Sequence, residues 1–181
     1  MAMNRHRHRP PHLYLDNMWY LITGATYGHA PFLASERAKL MVIDTLQDVR
    51  SACTVVFHAW VILDNHYHLL VRFAQGQQLP TFMQRLHGRT SRQINLWDAR
   101  PRRRVWYSYW DTCVRSDDDM WTKFNYIHYN PVKHGYVGRM EDWPYSSYHY
   151  YLRTRGAAWL ADSYAQYPVL ESVQGDDFAG P

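Results

Sequence analysis

A chain of 181 residues suffices for one domain with its own core, and a composition of 46% hydrophobic, 20% charged and 16% aromatic residues excludes general disorder. Cys53 and Cys113 are the only cysteines, too few for a disulfide framework or a cysteine-based zinc module, and the longest apolar run, Ala59 to Leu63, is too short to cross a bilayer. The formal net charge of +4 is concentrated: Arg85, Arg89, Arg92, Arg100, Arg102, Arg103 and Arg104 fall in one stretch that holds a single acid, Asp98, and the remainder is slightly acidic.

The segment 1–14 is basic and lacks apolar periodicity, so it reads as a flexible arm in which Arg5, Arg7 and Arg9 are available to an anion. Met18 to Tyr27, aromatic and β-branched, reads as a strand. Ser35 is a plausible N-cap, and Ala38, Met41, Val42, Leu46 and Val49 recur at helical spacing to about Arg50. Cys53 to Leu63 and His66 to Phe73 form a strand pair, turned by Asp64 and Asn65.

Leu79 and Pro80 open a second helix whose core stripe is Phe82, Met83, Leu86, Ile94 and Trp97. Arg85, Arg89 and Arg92 align on another face of it. Val105 to Cys113 is a fourth strand, and Asp117, Asp118 and Asp119 place acids at the positive end of a third helix, closed by Pro131 and Gly135. An aromatic extension, Glu141 to Trp159, follows, and the acidic residues beyond Val173 read as a loose tail. The order β-α-β-β-α-β-α predicts an α+β, ferredoxin-like domain over 15–160: a four-stranded antiparallel sheet with helices on one face, then a tail over 161–181.

Two features carry chemistry. His66 and His68, two apart on a strand, project from one face, and with helices on the other side both imidazoles would stand on an open surface, spaced for one divalent ion. An isolated pair of this kind is also common as ordinary surface residues. In the third helix, Met120, Phe124 and Ile127 share a face, while Tyr126 and Asn130, one turn apart, lie roughly 90–130° from it. The arginine-rich stretch favours nucleic acid over an anionic membrane, because guanidinium groups make planar, paired contacts to phosphate.

The strand LDNHYHLLV resembles the His-hydrophobic-His motif of HUH nucleases. NYIHYNPVKHGYV followed by EDWPYSSYHYY resembles the REP-associated tyrosine transposases, relatives of the IS200-like single-tyrosine transposases. The likeness runs from about Trp19 to Tyr151, departing from the family in the aromatic Tyr67 between the histidines and in Asn130 where mobile relatives carry Gln. It implies a ferredoxin-like core and a cytoplasmic enzyme, monomer or homodimer, that cuts and rejoins single-stranded DNA at hairpin-forming palindromes. His66, His68 and Asn130 would hold Mg²⁺ or Mn²⁺, and Tyr126 would be the nucleophile, giving a 5′-phosphotyrosine and a free 3′-hydroxyl. Arg85, Arg89, Arg92, Arg102, Arg103 and Arg104, with the arm, would track the DNA backbone, and exposed aromatics would stack on bases. The competing reading is a ferredoxin-like module that binds hairpin DNA or RNA without chemistry.

Overall fold

The computed structural model describes residues 12–169; Arg5, Arg7, Arg9 and the tail beyond Val173 lie outside them. The elements run β1 (Trp19–Thr26), α1 (Glu36–Cys53), β2 (Val55–Ile62), β3 (His66–Phe73), α2 (Gln78–Trp97), β4 (Trp106–Cys113), α3 (Asp117–Lys133), α4 (Tyr148–Arg155) and α5 (Ala157–Gln166). The four strands form one antiparallel sheet in the order β2-β3-β1-β4, the ferredoxin-like arrangement expected from the sequence. Ser35 caps α1 as expected, its hydroxyl accepting from Ala38 N–H, and Ser116 does the same for α3 by accepting from Asp119 N–H.

The first core layer seats α1 and α2 on the face formed by Tyr20, Ile22, Tyr67, Leu69 and Val71. Tyr67 fits because Gly24 is its register partner across β1; a Cβ on residue 24 would stand 2.4 Å from the tyrosine ring. The Tyr67 hydroxyl lies 2.8 Å from His87 Nε2, and His87 stacks on Trp106 at 4.5 Å between centroids.

The other face is not open. Leu21, Ala59, Val61 and Leu70 pack against Phe124, Tyr126 and Ile127 of α3, so helices lie on both sides of the sheet and the histidine face is half covered. The physical reason is that the row Leu21, Ala59, Val61, Leu70 is itself apolar and needs a cover. The aromatic extension holds α3 in place. Ser146 bridges to Val61 at the β2 edge, the Ser147 hydroxyl accepts from Trp60 N–H at 2.9 Å and meets His128 Nε2 at 2.8 Å, and Asn125 donates to the carbonyls of Ser163 and Tyr167. α5 runs through the boundary drawn at 160, with Leu160 and Ser163 buried. At the other end, His12 stacks over Tyr109 at 5.2 Å and pairs with Asp111, anchoring the last residues of the basic arm to β4.

Burial pushes His87 and His128 down to about 3, so both are neutral in the folded protein at pH 7. Unfolded, they protonate near the ordinary pKa of about 6.5. Between those values the unfolded chain binds more protons, and the stability present above pH ~6.5 is lost as pH falls toward 3. The urea midpoint is therefore expected to fall steadily from pH 7 to 4.5, with a shallower fall in His87→Phe. A midpoint independent of pH over that range contradicts burial of neutral imidazoles.

Candidate active site

The site is built on the central strand β3 and the last turns of α3. His66 and His68 lie on the histidine face of β3, 7% and 0% exposed, with ring centroids 5.1 Å apart. The orientation of each ring is set by its neighbours. His68 Nδ1 is 2.8 Å from the Thr23 hydroxyl on β1, and His66 Nδ1 donates to Asn65 Oδ1 at 2.7 Å. Both contacts engage Nδ1, which leaves Nε2 as the nitrogen suited to ligation, and His66 Nε2 faces Asn130 of α3.

From α3, Tyr126 and Asn130 sit one above the other. The Tyr126 ring stands 5.3 Å from His68, and Asn130 Oδ1 is 3.4 Å from His66 Nε2. Asn130 is helical despite preceding Pro131. α3 continues to Lys133, and the Pro131 carbonyl accepts from Tyr136 N–H at 2.9 Å.

The structure thus brings together His66, His68, Asn130 and Tyr126. It also adds four residues to which the sequence reading gave no role at the site. Thr23 and Asn65 aim the imidazoles; His134, one turn beyond Asn130, places its ring 4.9 Å from His66; and Lys133 lies 5.1 Å over the Tyr126 ring. The Tyr126, Asn130, His134 spacing of four was visible in the sequence and marks one helix face. Nothing local marked Thr23, which meets His68 only through strand register.

Behind the site the β2–β3 turn is clamped. Buried Lys39 pairs with Asp64 at 2.6 Å, donates to the Ala34 carbonyl and faces the rings of Trp143 and Tyr145, while the Asn65 carbonyl accepts from Thr26 N–H and its hydroxyl.

The donor set fits a divalent cation. With Nδ1–H given to Asn65, the neutral form of His66 presents its Nε2 lone pair 3.4 Å from a second acceptor, Asn130 Oδ1. Two acceptors face to face are an unfavourable pair that a cation between them would relieve. Among the described residues no group of three or more His, Cys, Asp and Glu could hold a metal ion, so a site here would need a neutral oxygen beside the two imidazoles.

The arginines do not converge on this point. Arg85, Arg89 and Arg92 are exposed on α2, in the layer across the sheet from Tyr126, and Arg89 is 3.4 Å from Asp48. Arg103, read from the sequence as a phosphate contact, already has partners within the chain. It pairs with Asp98, donates to Asn95 Oδ1 at 3.1 Å and covers Phe32, so it braces its own loop. That loop leads into β4 at the end of the sheet where His66 lies, since Ala25 is the register partner of both His66 and Ser108.

Residues 16–130 match the family described as "Transposase IS200 like". A Haemophilus influenzae protein classed as a REP-associated tyrosine transposase is 33% identical over 131 residues, 63% of this chain and 74% of its own. The REP-associated tyrosine transposase of Escherichia coli K12 is 28% identical over 144 residues, 72% of this chain and 80% of its own. Among solved structures, a REP-associated tyrosine transposase bound to a REP hairpin superposes with a TM-score of 0.68 over 80% of this chain and 85% of that one, at 21% identity, a likeness of fold. No described helix is long and apolar enough to cross a membrane. The family match and the similarity to the Haemophilus protein together show that the chain belongs to the IS200-like transposases, within the REP-associated tyrosine group, and is a transposase.

Proposed function

We propose that the protein cleaves and rejoins single-stranded DNA at hairpin-forming, REP-like sequences in the cytoplasm, with Tyr126 as nucleophile. The observation that carries this reading is the convergence of Tyr126 with the His66, His68 and Asn130 donors on one sheet face. His66, His68 and Asn130 would hold Mg²⁺ or Mn²⁺, which when bound polarises a non-bridging phosphate oxygen. Tyr126 Oη attacks phosphorus in line, the bond to O3′ breaks, and O3′ leaves as a 3′-hydroxyl with the proton lost by the phenol. The strand stays joined to Tyr126 through its 5′-phosphate. A second 3′-hydroxyl reverses the step and joins strands without ATP. Phenol is a weak nucleophile near its ordinary pKa of about 10, so the reaction requires a group that takes its proton as Oη attacks.

The test is incubation with pooled single-stranded hairpins and Mn²⁺, followed by a denaturing gel. A protein–DNA adduct supports the reading. Hairpin binding without adduct or cleavage favours the non-catalytic module.

Backbone contacts are proposed for the exposed arginines Arg85, Arg92 and Arg102. Each phosphate neutralised on a single strand contributes about −0.7 to the slope of log K against log[salt]. Replacing these three together by Gln is expected to flatten the slope by about 2 units and to leave discrimination between cognate and scrambled hairpins nearly unchanged. An unchanged slope would put the DNA elsewhere.

A further inference from the structure

Strand β4 is aromatic on both faces, and among the described residues one of these faces packs into the core. Trp106 packs inward against Tyr67 and His87. On the other side, Thr23 is the register partner of both His68 and Trp110, which places Trp110 on the histidine face, two strands from His68. α3 packs over β2 and β3, the other half of that face. Tyr107 stacks with Trp110, centroids 6.0 Å apart and planes at 25°, and both rings are only half-buried.

Arg104 extends the series. Its Nη2 donates to the Tyr107 carbonyl at 2.7 Å and its Nε to the Trp106 carbonyl at 3.3 Å. These bonds hold the guanidinium 5.3 Å from the Tyr107 ring and 4.9 Å from the exposed Tyr27 ring. The result is a row of flat groups, Tyr27, Arg104, Tyr107 and Trp110, beginning in the basic loop and running along an edge strand. An edge strand normally avoids accessible aromatic surface, because it invites pairing with other chains.

We propose that this row is a stacking platform for unpaired bases of single-stranded DNA, lying between the basic loop and the Tyr126 site. Charge selects the occupant. Arg104 stands in the row itself, and Arg100 and Arg102 are exposed in the same loop, so the ligand is an anion with flat apolar faces along its length, which is what a single strand offers. Arg104 uses two N–H groups on backbone carbonyls, and the rest of its five donors can take phosphate oxygen. The platform deepens the strand-transfer reading and rests on it for the choice of DNA.

The experiment compares binding of the full chain to an oligothymidylate of about 12 residues and to an abasic oligomer of equal length, which keeps the phosphates and lacks the bases. Wild type is expected to prefer thymidylate by about five- to a hundredfold for each stacked base. Tyr107→Ala with Trp110→Ala should lose most of that preference while keeping the abasic affinity and the salt slope. Tyr27→Ala, at an exposed position outside the core, should lose part of it with the fold undisturbed. Equal binding of both oligomers by wild type, or an unchanged preference in both variants, overturns the platform, as does displacement by oligoglutamate as effective as by thymidylate. The strand-transfer reading fails differently: hairpin DNA gives no covalent adduct even where the base preference stands, and the platform survives that result.

Discussion

Removal of one oxygen atom, in Tyr126→Phe, is expected to abolish adduct formation and to reduce strand cleavage by roughly 10⁴-fold or more, the scale on which enzymes lose activity with their nucleophile. Hairpin affinity should stay within about twofold of wild type, because the exposed arginines and aromatics that would hold the strand lie outside residue 126. The fold should survive as well. The ring sits 1% exposed among Leu21, Leu70, Phe124 and Ile127, and phenylalanine fills the same volume. A denaturing gel and a thermal melt on the same preparation separate the two effects. Cleavage at the wild-type rate would move the nucleophile to another residue or to water. A lower melting temperature with lost affinity would mean that the phenol is structural.

The local signals in this sequence were strong where structure is made locally. His66–Phe73 was legible to the residue, because its alternation is bounded by Asp64 and Asn65, and Ser35 fixed the start of α1 by its own hydrogen bond. The third helix was legible as a helix but not in its placement. Its approach to the histidine face depends on Leu21, Ala59, Val61 and Leu70, contributed by three strands, and on Ser146 and Ser147, which tie the extension to β2. The same limit applies to the site. Spacing along one strand showed that His66 and His68 share a face, and spacing along one helix paired Tyr126 with Asn130. That the two pairs meet came only with the family resemblance, because contacts between residues some 60 positions apart leave no periodic trace. Thr23, 45 positions from His68, was invisible for that reason; Asn65 was legible as a turn residue but not as the partner of His66 Nδ1, and the aromatic Tyr67 was unexplained until Gly24 was found opposite it. Charge counting has its own limit: it located the basic loop but could not tell that Arg103 pairs with Asp98 and Asn95 while Arg102 is exposed.

The second large effect is expected at the imidazoles. If His66, His68 and Asn130 hold a divalent cation, chelation with EDTA abolishes cleavage by the wild-type protein, and excess Mn²⁺ restores it. His66→Ala and His68→Ala should each remove metal-dependent cleavage, since a cation held by one imidazole and one amide is bound too weakly to stay in place. His68 is fully buried, so its alanine variant also leaves a cavity; His68→Gln keeps volume and separates lost ligation from lost packing. Asn130→Ala should be milder, a partial loss, because water can take the position of a neutral amide oxygen more readily than that of an imidazole. The informative variant is Thr23→Val, which keeps shape and removes the hydroxyl 2.8 Å from His68 Nδ1. Loss of such an orienting partner costs about 10- to 100-fold in metal affinity, readable as free Mn²⁺ in a paramagnetic-resonance titration without any turnover, and Thr23→Ser should recover most of it. A Thr23→Val protein that binds Mn²⁺ as tightly as wild type would show that the hydroxyl does not aim the ring. Cleavage undiminished by EDTA would remove the metal from all three residues and leave His66 and His68 as hydrogen-bonding groups around the scissile phosphate.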